Sequence, residues 1–118
     1  MQNAEKDLAA RTKHFAQRII RLYTALPKTT VAQVLGKQVL RSGTSVGANY
    51  REASRARSKA EFISKVGDCL KEADETIYWL ELLSDEKIIP QKRLEPLLQE
   101  TDELIAILVT ISKKARGE

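Results

Sequence analysis

Residues 41–49 read Arg41-Ser42-Gly43-Thr44-Ser45-Val46-Gly47-Ala48-Asn49, and the fold turns on whether they form a loop or a helix. Glycine costs a helix interior about 1 kcal/mol against alanine, and serine and threonine are weak formers. Taken alone, the segment suits a loop. Its surroundings argue otherwise, because Val39, Ser42, Val46, Asn49 and Ala53 fall three and four residues apart, the spacing of one helix face. The reading is therefore a single long helix, with Gly43 and Gly47 one turn apart so that a neighbouring helix can approach closely.

Working outward, Thr30 and Gln33 are spaced as a capping box at the start of that helix, with Val31, Val34, Leu35 and Val39 on its apolar face. Before it, Leu8, Phe15, Ile19, Leu22 and Leu26 mark a first amphipathic helix, which Pro27 ends because the residue ahead of a proline avoids the α region. After it, Ser58-Lys59-Ala60-Glu61 forms a second capping box. The third helix follows, with Phe62, Val66, Cys69, Ala73, Ile77 and Leu80 as its buried stripe. Residues 84–90 form the last turn. A fourth helix then runs from about Gln91 to Lys114, with Leu94, Leu97, Thr101, Leu104, Leu108 and Ile111 facing inward. No strand-like alternation interrupts the pattern. Long helices joined by short loops place neighbours antiparallel, so the expected fold is all-α, an up-down four-helix bundle in one domain spanning residues 1–118.

Composition agrees with this. The chain has 118 residues, 42% apolar and 31% charged, enough to bury a core without disulfides or a structural metal. Cys69 is the single cysteine, which excludes an intramolecular disulfide and fits a reducing cytoplasm. The charged N-terminus lacks the apolar run of a signal peptide, and no segment has the roughly 20 apolar residues needed to span a membrane.

The last helix carries more apolar surface than one face needs. In Leu104-Ile105-Ala106-Ile107-Leu108-Val109-Thr110-Ile111 the large side chains cover roughly 200° of the helix, about twice the usual stripe. The third helix shows a similar excess around Tyr78 and Trp79. Large exposed apolar patches are rare on monomers, so Ile105, Ile107, Val109, Tyr78 and Trp79 are candidates for a subunit interface. Irregular packing within one bundle is the competing explanation.

Candidates for catalysis are few. His14 is the only histidine and has no neighbours that make a triad or metal site. Cys69 lies on a buried stripe, where a thiol is inert. Glu72, Asp74 and Glu75 lack the inward Glu-x-x-His pairs of a di-metal bundle, and Gly43/Gly47 lacks the lysine of a phosphate loop. No enzyme, cofactor or metal is expected. Asn49, Ser42 and Ser45 are read as a structural hydrogen-bond network inside the bundle.

Charge is the better lead. Residues 1–57 hold eleven Lys/Arg against three Asp/Glu, a balance of +8, and residues 58–118 hold nine against thirteen, a balance of −4. Arg51, Arg55, Arg57 and Lys59 fall within nine residues, offset locally only by Glu52. Arg41, Lys37 and Arg18 extend the cluster if the helices face suitably. Such a surface contacts phosphates with steep salt dependence and little sequence discrimination. The same cations can equally pair with acidic groups of the third helix or of a neighbouring subunit.

The stretch from Arg41 through Asn49 to Tyr50-Arg51-Glu52-Ala53, followed by Ser58-Lys59-Ala60-Glu61-Phe62, resembles the bacterial 23S rRNA intervening-sequence protein family. The likeness spans nearly the whole chain; many members have proline at the position of Gly47 and glycine at that of Ala53. The resemblance implies a left-handed four-helix bundle assembled as a homopentamer, with no catalytic residues. It also implies a distant kinship with the basic pentameric accessory protein of diversity-generating retroelements, which is thought to engage nucleic acid. The expected function is thus a non-enzymatic, oligomeric, RNA- or DNA-associated accessory protein. The alternative is a scaffold that recruits a protein partner and touches no nucleic acid.

Overall fold

Three short breaks divide the chain, and each has a local cause. At the first, Pro27 stops the preceding helix and Thr29 caps the next, its Oγ1 accepting the Ala32 N–H at 3.2 Å. At the second, Ser58 Oγ accepts the Glu61 N–H at 3.0 Å. The third is closed by a residue in the left-handed region, Lys87 at φ 59°. The Ile88 N–H there reaches the Leu83 carbonyl and the Lys87 N–H the Ser84 carbonyl, the paired bonds of a Schellman motif, with lysine where glycine is usual. Between the breaks lie α1 (Gln2–Thr24), α2 (Thr30–Ser54), α3 (Lys59–Asp85) and α4 (Gln91–Ala115). This computed structural model describes the backbone of residues 2–118 and the side chains of residues 8–118; no strand occurs among the described residues. Its dimensions are 45 × 22 × 19 Å. A helix of 27 residues such as α3 is about 40 Å long, so the helices lie side by side along the molecule.

The core is one cluster drawn from all four helices. Leu8, Phe15 and Ile19 of α1 meet Val39, Val46 and Tyr50 of α2, Val66, Cys69, Leu80 and Leu83 of α3, and Leu94, Leu104 and Leu108 of α4, all essentially inaccessible to solvent. Each such large side chain contributes about 1.5–3 kcal/mol on burial.

Helix α2 is the central strut, packed against α1 on one side and α3 on the other, with α4 completing the bundle against α3. Its contact with α1 depends on glycines. A Cβ added at Gly43 would lie 2.8 Å from Ile19 Cγ1, and one at Gly47 would lie 3.2 Å from the Thr12 carbonyl oxygen. Gly36 extends this seam toward Leu26 and Tyr23. Against α3, the buried Ser42 and Thr76 hydroxyls share a hydrogen bond of 2.9 Å. Further out, Arg41 binds Glu72 and Glu75. Toward the end of α2, Glu52 pairs with Lys65 of α3 at 2.7 Å, so higher α2 numbers meet lower α3 numbers and the two helices are antiparallel. Helices α1 and α4 meet more thinly, bridged by Arg11 to Glu100 at 2.6 Å and Glu103 at 3.0 Å.

The long reading of α2 holds, but its inward face is turned from the expected one. The cap is Thr29 rather than Thr30, and Gln33 instead donates its amide to the Pro27 carbonyl. Val31 and Val34 are 57% and 56% exposed, while Ala32 and Gly36 face inward. Tyr50, not Asn49, fills the core; Asn49 is half-buried and makes no side-chain hydrogen bond among the described residues. The large ring removes more apolar area from water than an amide could, and the stripe follows it. On α3 and α4 the inward positions are Thr76, hydrogen-bonded to Ser42, and Ser112, where Ile77 and Ile111 were expected. Phe62 is half-buried, packed against the edge of the core. Ser45 bonds back to the Arg41 carbonyl at 2.6 Å, so of the expected network it is Ser42 that joins two helices.

Candidate nucleic-acid interface

The basic cluster is built where α2 ends and α3 begins. Arg51 stands in the last turn of α2, and Arg55 is its C-cap residue, a position where positive charge is favoured by the helix dipole. Arg57 precedes the Ser58 cap and Lys59 opens α3. There the dipole disfavours a cation, so these two charges gain nothing from their own helix. All four side chains are exposed, and none forms an ion pair among the described residues. The nearby acid, Glu52, is taken by Lys65 of α3 at 2.7 Å. That hydrogen bond, with the attraction behind it, raises the Lys65 ammonium above its ordinary pKa. The basic cluster is therefore left without a compensating carboxylate among the described residues.

Beside the cluster, α1 and α2 enclose an open groove of about 710 Å³. Ala9, Ala16, Gly47 and Ala48 form its small-residue lining, Thr12 and Thr44 supply hydroxyls, and Lys13, Arg51 and Arg55 supply positive charge. The groove exists because Gly47 brings α2 against the α1 backbone at Thr12 while alanines leave the space beside that contact unfilled. Lys13 escaped the sequence reading. It is 38 positions from Arg51, and only the antiparallel α1–α2 register brings the two together.

The structure does not gather every expected basic residue. Arg41 faces α3 and is engaged by Glu72 at 3.2 Å and by Glu75, so here internal pairing wins. Lys37 is exposed but stands 14 residues before Arg51 on α2, about 21 Å away along the helix. Arg18 is half-buried on α1. The site thus reduces to Arg51, Arg55, Arg57 and Lys59, joined by Lys13.

The expected interface residues divide. Tyr78 is 55% exposed. Trp79 is half-buried, packed edge-to-face with Tyr78 at 5.0 Å and donating Nε1–H to Glu75 at 3.3 Å. Ile105 and Ile107 are half-buried against the core, and Val109 is half-buried, so α4 hides much of its surplus within its own bundle. Ile20, Val31 and Val34 are instead the other large apolar side chains left in water. Their exposure was not anticipated.

Cys69 is buried, and desolvation pushes its thiol from an ordinary 9.0 up to about 12, leaving no thiolate for nucleophilic work near neutral pH. Among the described residues, no group of three or more His, Cys, Asp or Glu is placed to hold a metal ion, and no helix is long and apolar enough to cross a membrane.

Fold and surface together define a four-helix, all-α protein with an exposed basic end. The chain belongs to the 23S rRNA-intervening sequence protein family, which it matches over residues 5–110. It is similar to the 1.70 Å crystal structure of a protein of unknown function from the S23 ribosomal protein family of Bacteroides thetaiotaomicron. The two are 42% identical with a TM-score of 0.89, covering 93% of this chain and 98% of that one. No curated protein matches the chain. The resemblance carried by the Ser45-Val46-Gly47-Ala48-Asn49 segment thus leads to the right family, one without an established activity.

Proposed function

We propose that this protein is a non-enzymatic nucleic-acid-associated accessory protein, with RNA as its favoured target, acting in the cytoplasm as a homo-oligomer. The observation that carries this reading is the state of Arg51, Arg55, Arg57 and Lys59: exposed and without ion pairs among the described residues, while Glu52 is held by Lys65. Unpaired cations at one end of a helical rod attract a polyanion and release its counterions, which supplies affinity without reading sequence.

The test is binding to generic duplex and single-stranded nucleic acid across a salt series. Each phosphate contact contributes about 0.9 to the slope of log affinity against log salt for duplex DNA, about 0.7 for single strands. Replacing Arg51, Arg55 and Arg57 by glutamine should lower that slope by about 2–3 and the affinity by about 10²-fold at 0.1 M salt. Arg41→Gln, at a position already tied to Glu72 and Glu75, should change neither. An unaltered slope in the triple variant would remove the proposal.

Assembly as a left-handed-bundle pentamer is part of the same proposal, supported by the family resemblance and by the exposed Tyr78. Light scattering should then give five copies of the 13.3 kDa chain, about 66 kDa; a lone subunit at high concentration would exclude it. The alternative, a protein-recruiting scaffold without nucleic-acid contact, draws on the exposed Val31 and Val34. A protein partner retained after nuclease treatment, with no nucleic-acid binding in the salt series, would favour it.

A further inference from the structure

We infer that the basic face takes a double helix by its sugar–phosphate backbone rather than a single strand by its bases, with one backbone ridge seated in the α1–α2 groove. This rests on the nucleic-acid reading above and narrows its ligand. Proteins that hold single strands combine positive charge with exposed aromatic rings on which bases stack. The basic face has no such ring. Tyr50 lines the groove but is only 1% exposed, Phe15 is buried, and Phe62 packs against the core. Residues 1–7 contain no aromatic. The exposed ring of Tyr78 is 19 residues along α3 from Lys59, about 28 Å away, and Trp79 lies beside it.

What the face does offer suits a duplex backbone. Lys13 comes from α1 and Arg51 and Arg55 from α2, all lining one groove, with Arg57 and Lys59 continuing the charge around the end of the rod. Between them the lining is mostly small, alanine and glycine with Thr12, Thr44 and Ser54, and its one carboxylate is Glu52, which Lys65 holds. A groove of small residues lined by three cations accommodates the phosphate ridge of a double helix, which is recognised by shape and charge.

The experiment measures affinity by fluorescence anisotropy, at one salt concentration, for a 24-nucleotide duplex RNA, the matching duplex DNA, and unstructured poly-U and poly-dT strands of the same length. At least one duplex should bind about tenfold or more tightly than either single strand, and the RNA and DNA arms show which helix form fits. Ala48→Leu tests the seat itself, since Ala48 is exposed in the groove lining and the change leaves the charge untouched. It should weaken duplex binding about fivefold or more, with an unchanged melting temperature confirming the fold. Single strands bound as tightly as duplexes would overturn the inference while leaving the nucleic-acid reading standing. Full duplex affinity in Ala48→Leu would likewise overturn the groove seat. Failure of all four probes would remove both.

Discussion

Phe15→Ala is expected to lower the free energy of unfolding by about 3–5 kcal/mol, measured by urea denaturation at a fixed protein concentration. The ring is 1% exposed, on α1 among the contributions of the other helices, so its removal forfeits both transfer energy and packing around the cavity. At the size of this chain the melting temperature should fall by roughly 10–20 °C. Phe62→Ala is the internal comparison. That ring is half-buried at the edge of the core in the first turn of α3, so its truncation should cost no more than about 2 kcal/mol. Equal losses at the two positions would show that α3 is rotated from the register described.

Gly43→Leu should destabilise the protein by about 3 kcal/mol or more. Even a methyl at this position would stand 2.8 Å and 2.9 Å from the two γ-carbons of Ile19. Those atoms branch directly from an anchored Cβ and cannot swing aside. The clash therefore pushes α1 away from α2, and α4 holds α1 only thinly, chiefly through Arg11. Gly67→Ala provides the opposite sign. Nothing lies within 4 Å of an added Cβ there, so the gain in helix propensity should stabilise α3 by roughly 1 kcal/mol. Thermal melts of the two variants check both outcomes, and a harmless leucine at position 43 would disprove the close glycine seam.

These residues also show which parts of the structure were legible in the chain. The four helices were, because long runs spaced by three and four leave little alternative, and the reading of residues 41–49 as helix survived its glycines and serines. The rotation of α2 was not. Glycines at 36 and 43 carry no apolar signal, yet they occupy the inward face, while Val31 and Val34 advertise burial and stay in water. What matters at such a seam is the distance between backbones, which no hydropathy pattern expresses. The basic site divides in the same way. Arg51, Arg55, Arg57 and Lys59 are neighbours in sequence and were found together. The capture of Arg41 by Glu72 and Glu75, the capture of Glu52 by Lys65 and the arrival of Lys13 all depend on how antiparallel helices align.

Trp79 gives the molecule a built-in optical reporter. Its indole N–H rests on Glu75, which is also the partner of Arg41 across the α2–α3 seam, and it is the chain's sole tryptophan. Any separation of those two helices changes the polarity around the indole and shifts its emission. The cation that opens α3, Lys59, stands about 30 Å along the helix from the indole. Tryptophan emission therefore reports separation of α2 from α3, while occupancy of the basic face is read independently from the anisotropy of a labelled nucleic acid.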